Sequence, residues 1–330
     1  MGIGQALPAR RTACFDVLLP RRVARFPRWW LAVWLLGCAG AKQAQPAPAL
    51  HAHGDREQVA ARKEEPFYIK DVGFQTPESV VYDARADVYL VSNVDGSPLD
   101  VDDLAFISRV RPDGSVEALR WIDATEPDIE LNAPKGMALV GDVLYVADIK
   151  SLRKFDRNTG KALGSIELPG ATFANDVCAD RAGNVFVSDS GIAAGFMPSG
   201  SDAIYRVSAH GEVSVLARDV ALGRPNGITV SGTDLWVATF GSGELYRLAE
   251  DGQRSDVQKL PKGSLDGVVA WKGRLFVASW EASAIYERSG DTFVERVSNI
   301  PAPSDIGIDD KRGRLLIPLF YDNTVVVYPL

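Results

Sequence analysis

Six polar residues recur at one place in a repeated pattern, and their types could do chemistry together: Glu78, Lys135, Asn175, Asn226, Asp266 and Asp305. Each stands immediately before a short, mostly apolar segment that reads as a β-strand. Glu78, Asp266 and Asp305 bring carboxylates, and Asn175 and Asn226 bring amide oxygens. An oxygen-only set suits a hard cation, Ca²⁺ before Mg²⁺, because Ca²⁺ tolerates irregular shells of oxygen ligands. Glu78, Asn175, Asn226 and Asp266 are the candidate metal ligands. Their two carboxylates balance a dication, and water or substrate would fill the remaining positions. Any one Asn or Asp at a strand start is explained by turn capping. The recurrence, together with Glu and Lys that cap turns poorly, favours a functional ring. Lys135 is placed to pair with Asp305 or to hold a substrate anion.

These residues must be positioned by a repeat. Its strongest strand recurs as Val88-Tyr89-Leu90-Val91-Ser92, Val143-Leu144-Tyr145-Val146-Ala147, Val185-Phe186-Val187-Ser188, Leu235-Trp236-Val237-Ala238, Leu275-Phe276-Val277-Ala278 and Leu315-Leu316-Ile317-Pro318. Tight-turn residues precede each copy, among them Gly141-Asp142, Lys272-Gly273 and Arg312-Gly313. A third, alternating strand and a fourth, outer one follow, as in Ala203-Ile204-Tyr205-Arg206-Val207 before His210-Gly211. Units roughly 40–50 residues apart have the spacing of propeller blades. The expected fold is therefore all-β: a six-bladed β-propeller with four-stranded antiparallel blades, over residues 66–330. The final repeat has three strands, and the orphan strand Phe67-Tyr68-Ile69-Lys70 is expected to complete it. Inner strands line the channel of a propeller, so one register places the six polar residues as a ring at one mouth. The long loops 93–104, 122–134, 190–202 and 218–225 are expected to cover that mouth. The Gly-flanked apolar run from Gly191 to Pro198 reads as a mobile lid or a pocket wall.

Four of the motifs resemble those of the senescence-marker/gluconolactonase, or regucalcin-like, propeller family. They are Glu78-Ser79, Asn175-Asp176 followed by Asp180…Gly183-Asn184, Pro225-Asn226-Gly227 and Leu265-Asp266-Gly267. The resemblance covers about residues 66–330 and implies a metal-dependent hydrolase of lactones or related esters. It implies Asp266 as metal ligand and general base, Asn175 near substrate and metal, and Ca²⁺ as cofactor, with Mn²⁺, Mg²⁺ or Zn²⁺ as alternatives in turnover. Members acting on sugar lactones often carry Arg two residues before Asn-Asp. Here that residue is Phe173, which points to a less polar small-molecule substrate contacting Lys135, Phe173, Asn175 and Asp305. The competing reading is a non-enzymatic propeller lipoprotein that binds a ligand or a protein, since propellers serve many functions.

Composition narrows the classes further. Three His and three Cys leave little for a zinc site or a disulfide framework. A net charge of −7 argues against nucleic acid as a partner. No Gly-x-Ser-x-Gly elbow and no phosphate-binding Gly-rich motif opening a helix is present. Residues 1–38 read as a lipoprotein signal peptide: an Arg-rich start, then Trp29-Trp30-Leu31-Ala32-Val33-Trp34-Leu35-Leu36-Gly37 before Cys38. Leu35-Leu36-Gly37-Cys38 resembles a lipobox, which makes Cys38 the expected lipidation site and only membrane attachment. Ala39 in place of Asp suggests an exported outer-membrane lipoprotein facing the periplasm or cell surface. Residues 39–65 read as a flexible tether. Losing six Arg and one Asp with the leader takes the net charge from −7 to −12.

Overall fold

The computed structural model describes residues 64–330. The expected signal peptide (1–38), Cys38 and residues 39–63 of the expected tether lie outside the described residues. The chain forms six four-stranded antiparallel sheets and one two-stranded hairpin, and no α-helix is present among the described residues. The sheets follow one another as blades of a β-propeller. In blades one to five the strands run in sequence order from the channel outward. The inner strands are Pro77–Asp83, Pro134–Val140, Ala174–Ala179, Pro225–Ser231 and Leu265–Trp271, with Gly307–Asp309 in blade six.

The second strand of each blade is sandwiched between neighbouring blades and so has no solvent face. That is why Val88–Asn93 is buried along its whole length and reads as a continuous apolar run rather than an alternation. Outer strands face solvent on one side, and Arg254–Lys259 alternates strictly between half-buried and exposed residues. Each interface between neighbouring blades holds its own core. Leu90 and Ile107 of blade one meet Leu144 and Phe155 of blade two, and Phe276 and Ile285 of blade five meet Leu315 and Ile317 of blade six.

The ring closes as the sequence suggests. Phe67–Ile69 pairs with Thr324–Pro329, with Phe67 opposite Val327 and Ile69 opposite Val325. The first strand thus becomes the outer strand of the last blade. Hydrophobic contact between Val80, Tyr89 and Val91 of blade one and Leu316, Val325 and Val327 of blade six seals the joint. Cys178 is a free thiol and no disulfide bridges the described residues, so burial and sheet closure carry the stability.

Inner strands carry the feature that builds the site. In blades one to five the pairing with the second strand slips by one residue at the mouth. Pro77 pairs with Asn93, but the next pair is Val80 with Val91. The same slip recurs at Pro134/Met137, Ala174/Val177, Pro225/Ile228 and Leu265/Val268. A bulge of this kind re-aims the side chains it contains. Two successive residues per blade are thereby turned toward the axis, giving an upper ring and a second layer beneath it.

Candidate active site at the channel mouth

Glu78, Lys135, Asn175, Asn226 and Asp266 occupy the first bulge position of blades one to five, and all five line one cavity of about 460 Å³. Phe173 lines it too. Asp305 does not. The bridge between Pro303 and Leu319 corresponds to Pro77 opposite Asn93, so Ser304 is the ring residue of blade six. Asp305 lies one step deeper, beside Ser79, in a layer that also contains Asp176 and the glycines Gly136, Gly227 and Gly267. The expected ring position and substrate contact of Asp305 are corrected accordingly. Both bulge residues of a blade are buried and axial, so matching Asp305 to Asp266 by type displaces the register by one.

The second layer is packed without spare room. A Cβ on Gly227 would collide with the carbonyl oxygen of Asp266 and one on Gly267 with the amide of Ile306, so glycine alone lets these strands converge. Asp176 takes the space that Gly136 leaves. Its carboxylate accepts hydrogen bonds from the amides of Val177 and Ile228, each at 2.6 Å. Asp305 accepts from Ser79 Oγ at 2.5 Å and lies beside the Asp176 carboxyl. Burial pushes the Asp305 carboxyl up to about 7. Burial and the Asp305 charge raise Asp176 well above the ordinary range. These two carboxyls lie beneath the ring and do not line the cavity.

Serines of the second strands hold the bulges open. Ser92 Oγ accepts from the Ser79 amide (2.9 Å) and donates to the Lys135 carbonyl (3.0 Å). Ser188 Oγ accepts from the Asp176 amide (2.9 Å) and donates to the Asn226 carbonyl (2.6 Å). Each serine thus satisfies an amide freed by a bulge and ties it to the next blade. Acidic residues at the strand ends fix the loops above. Asp148 accepts from the Ala133 amide at 2.8 Å, and Asp189 accepts from the Phe173 amide at 2.9 Å.

The upper ring contains unmet hydrogen-bonding capacity. Glu78 Oε2, Asn226 Oδ1 and Asp266 Oδ1 are buried without a partner. Such oxygens are costly unless something binds them. The Asn175 amide nitrogen donates to Ser190 Oγ at 2.9 Å, which leaves its carbonyl oxygen as the atom available to accept or coordinate. Burial, then the charges of Asp266 and Asp305, raise Glu78 well above its ordinary value, with Lys135 opposing. Burial and Asp305 raise Asp266 likewise, with nearby Trp280 and Asn226 opposing. Trp280 Nε1 is itself buried without a completed hydrogen bond. Crowded carboxyls and orphaned oxygens around one cavity are the donor chemistry that a divalent cation satisfies. Among the described residues no cluster of three or more His, Cys, Asp or Glu side chains is arranged to hold a metal, so a cation here would need the two amides.

Lys135 is 1% exposed and does not pair with Asp305. Its ammonium donates to the Ala133 carbonyl at 3.0 Å and sits 4.3 Å from the centre of the Phe173 ring. Burial lowers its pKa to about 8, against the pull of Glu78 and Asp148.

Two of the four expected covering loops reach the cavity: 93–104 through Gly96, Ser97 and Pro98, and 190–202 through Ser190, Ile192 and Phe196. Loops 122–134 and 218–225 contribute no lining residue. The remaining wall is an aromatic group that the sequence reading missed: Phe240, Trp280, Phe320 and Tyr321. A signal for it existed. Phe240, Trp280 and Phe320 each follow the last residue of the second strand in blades four, five and six, one aromatic per repeat at one register.

No family model matches this sequence, and no curated protein matches it. Solved structures do match, and they include gluconolactonase and regucalcin propellers. A gluconolactonase from Xanthomonas campestris is 19% identical, with 80% of this chain and 89% of that chain covered at a TM-score of 0.63. A regucalcin from Agrobacterium tumefaciens, described as a calcium-binding protein, is 18% identical over 81% and 93% of the two chains, at 0.58. A streptogramin B lyase is 12% identical over 79% and 96%, at 0.57. At these identities the likeness is one of fold, and propellers with different activities share it.

Proposed function

We propose that the cavity at the channel mouth is the active site of a divalent-metal-dependent hydrolase of lactones or related esters. The observation that carries this reading is the convergence of three partnerless buried oxygens, on Glu78, Asn226 and Asp266, at one cavity. Glu78, Asn175, Asn226 and Asp266 would hold the cation. When bound, it would supply Lewis-acid polarisation of the substrate carbonyl and offset the charge of the crowded carboxylates.

The chain's own residues supply the rest. Asp266 accepts a proton from the attacking water. The water oxygen forms a bond to the carbonyl carbon, the ring C–O bond breaks, and the departing alkoxide takes the proton to give a hydroxy acid. Asn175, oriented by Ser190, positions the substrate. Lys135 adds positive potential to the cavity where negative charge develops on the carbonyl oxygen. The segment carrying Ile192 and Phe196 limits access of bulk water.

The protein that carries this site is further proposed to be exported and anchored through Cys38, on the strength of its Arg-rich start, short apolar run and lipobox-like Leu35-Leu36-Gly37-Cys38. The test of the activity is a panel of lactones and esters with Ca²⁺ or Mn²⁺, comparing wild type with Asp266→Ala. Loss of a general base is expected to lower kcat about 10²–10⁴-fold. Equal rates in the two proteins would refute the mechanism. Ligand binding without turnover, insensitive to chelation, would favour the non-enzymatic binding protein.

A further inference from the structure

We infer that the substrate presents a flat apolar group, such as a fused aryl ring, to the outer half of the cavity, where an aromatic wall receives it. The inference rests on the hydrolase reading for its chemistry, and on the cavity alone for its binding preference.

The cavity has two halves of opposite character. Its floor is the ring of carboxyls, amides and Lys135. Its outer wall is built by three successive blades. Trp280 stands at the centre, 5.6 Å from Phe240, 5.4 Å from Phe320 and 5.6 Å from Tyr321 between ring centres. Phe320 and Tyr321 meet edge to face at 5.1 Å. Interlocked rings of this kind are held in place before any ligand arrives, so a flat partner loses little entropy in docking on them. The wall is not internal packing alone. Tyr321 is 72% exposed and Phe196, on the covering hairpin, 55% exposed, and both line the cavity. Large apolar side chains left open around a concave site favour an apolar ligand.

The polar inventory of that outer half is short. Ser190 Oγ is already committed, accepting from Asn175 and donating to the Pro225 carbonyl at 2.7 Å. Phe173 turns its ring to the Lys135 ammonium. A polyhydroxylated lactone would leave hydroxyls unpaired here, and selectivity against unmatched polar groups is steep. Ser97 and Tyr321 each bring a hydroxyl to the lining, and among the described residues the one buried polar group of this half without a partner is Trp280 Nε1. It is buried, unpartnered and beside Asp266, and can donate to an oxygen of the substrate near the floor. One residue would thus bridge the halves, its ring on the apolar group and its N–H on the reacting end.

The experiment uses the full Ca²⁺-loaded protein. Hydrolysis of dihydrocoumarin, δ-valerolactone and glucono-δ-lactone is compared. Equilibrium binding of two hydrolysis-resistant lactams, 3,4-dihydro-2-quinolinone and δ-valerolactam, is measured alongside. Dihydrocoumarin is expected to exceed δ-valerolactone at least tenfold in kcat/KM, with glucono-δ-lactone lowest. The aryl lactam should bind at least tenfold tighter than δ-valerolactam. Tyr321→Ala, at a largely exposed position that spares the core, should cut both preferences several-fold, and Phe320→Ala about tenfold. A preference for glucono-δ-lactone, or aryl preferences unchanged in both variants, would overturn the inference while leaving the hydrolase reading intact. Aryl-selective lactam binding that the variants weaken, with no lactone hydrolysed, would support the aromatic wall and refute the hydrolase instead.

Discussion

Calcium should stabilise this propeller, and Asp266→Asn should abolish most of the effect. Three buried oxygens of the ring lack partners, on Glu78, Asn226 and Asp266. Each such group costs about 1–3 kcal/mol when left unsatisfied. A cation that satisfies them binds only the folded state. At a free concentration 100 times its Kd it contributes about 2.7 kcal/mol. A propeller spanning residues 64–330 shifts by roughly 2 °C per kcal/mol, so Tm should rise by about 5 °C. Asp266→Asn keeps the shape but removes one of the two ligand charges. If affinity falls 100-fold, the same calcium concentration contributes about 0.4 kcal/mol, or about 1 °C.

Without metal the same substitution should act in the opposite direction. Burial, then Asp305, raise the pKa of Asp266, so the folded state keeps a proton that the unfolded chain releases above pH about 4. This contribution is fully present below pH 4 and is lost as pH rises toward the raised value, at about 1.4 kcal/mol per unit. Asn carries no such dependence. Metal-free Asp266→Asn should therefore melt no lower than wild type at pH 8, and its Tm should vary less above pH 4. Differential scanning fluorimetry with EDTA and with CaCl₂, at pH 5 and pH 8, reads both effects. An equal calcium shift in the two proteins, or a metal-free variant that melts well below wild type at pH 8, would refute this account of the ring.

Three other outcomes are expected. Asp83→Asn should cost about 3–5 kcal/mol in urea unfolding, because it strands Arg157, buried at 8% exposure, and weakens the caps to the amides of Arg85 and Ala86. Burial opposes ionisation of Asp83, but hydrogen bonds from Arg157 and those amides outweigh it and hold its pKa below the ordinary value, so the pair's contribution should be complete above pH 4 and disappear as pH falls below it. Removing residues 1–69 should leave the edge Thr324–Pro329 unpaired and uncover the joint formed by Ile69, Val325 and Val327, giving a lower Tm and concentration-dependent aggregation by light scattering. Cys38→Ala should move the protein from the membrane fraction to the soluble one, with catalytic constants unchanged; a wild type already soluble after expression in its native compartment would remove the lipid anchor from the proposal.

Much of the architecture was legible because it is written in periodicity. Second strands are buried on both faces and must be continuously apolar, so the six runs from Val88 to Pro318 announced the blades. The orphan strand at Phe67 announced the closure, since a three-stranded last blade leaves an edge that must be paired. The ring was legible in five blades because a polar residue held before an apolar strand in successive repeats is unusual. It was misread in the sixth, where Ser304 and Asp305 are both buried and axial and only the pairing of Pro303 with Leu319 tells them apart.

By itself, then, the sequence determined which residues repeat, which strands they begin, and that any metal site must be made of oxygen, because His and Cys are scarce. The tertiary structure alone decided which neighbours those residues meet. It set Asp305 against Asp176 beneath the ring, Lys135 over Phe173, and Trp280 among Phe240, Phe320 and Tyr321. Periodicity is a property of one strand and its burial, and a sequence displays it directly. Contacts across the channel join side chains from blades far apart in the chain. They depend on how bulges aim two residues per blade at a common axis, which no local pattern records.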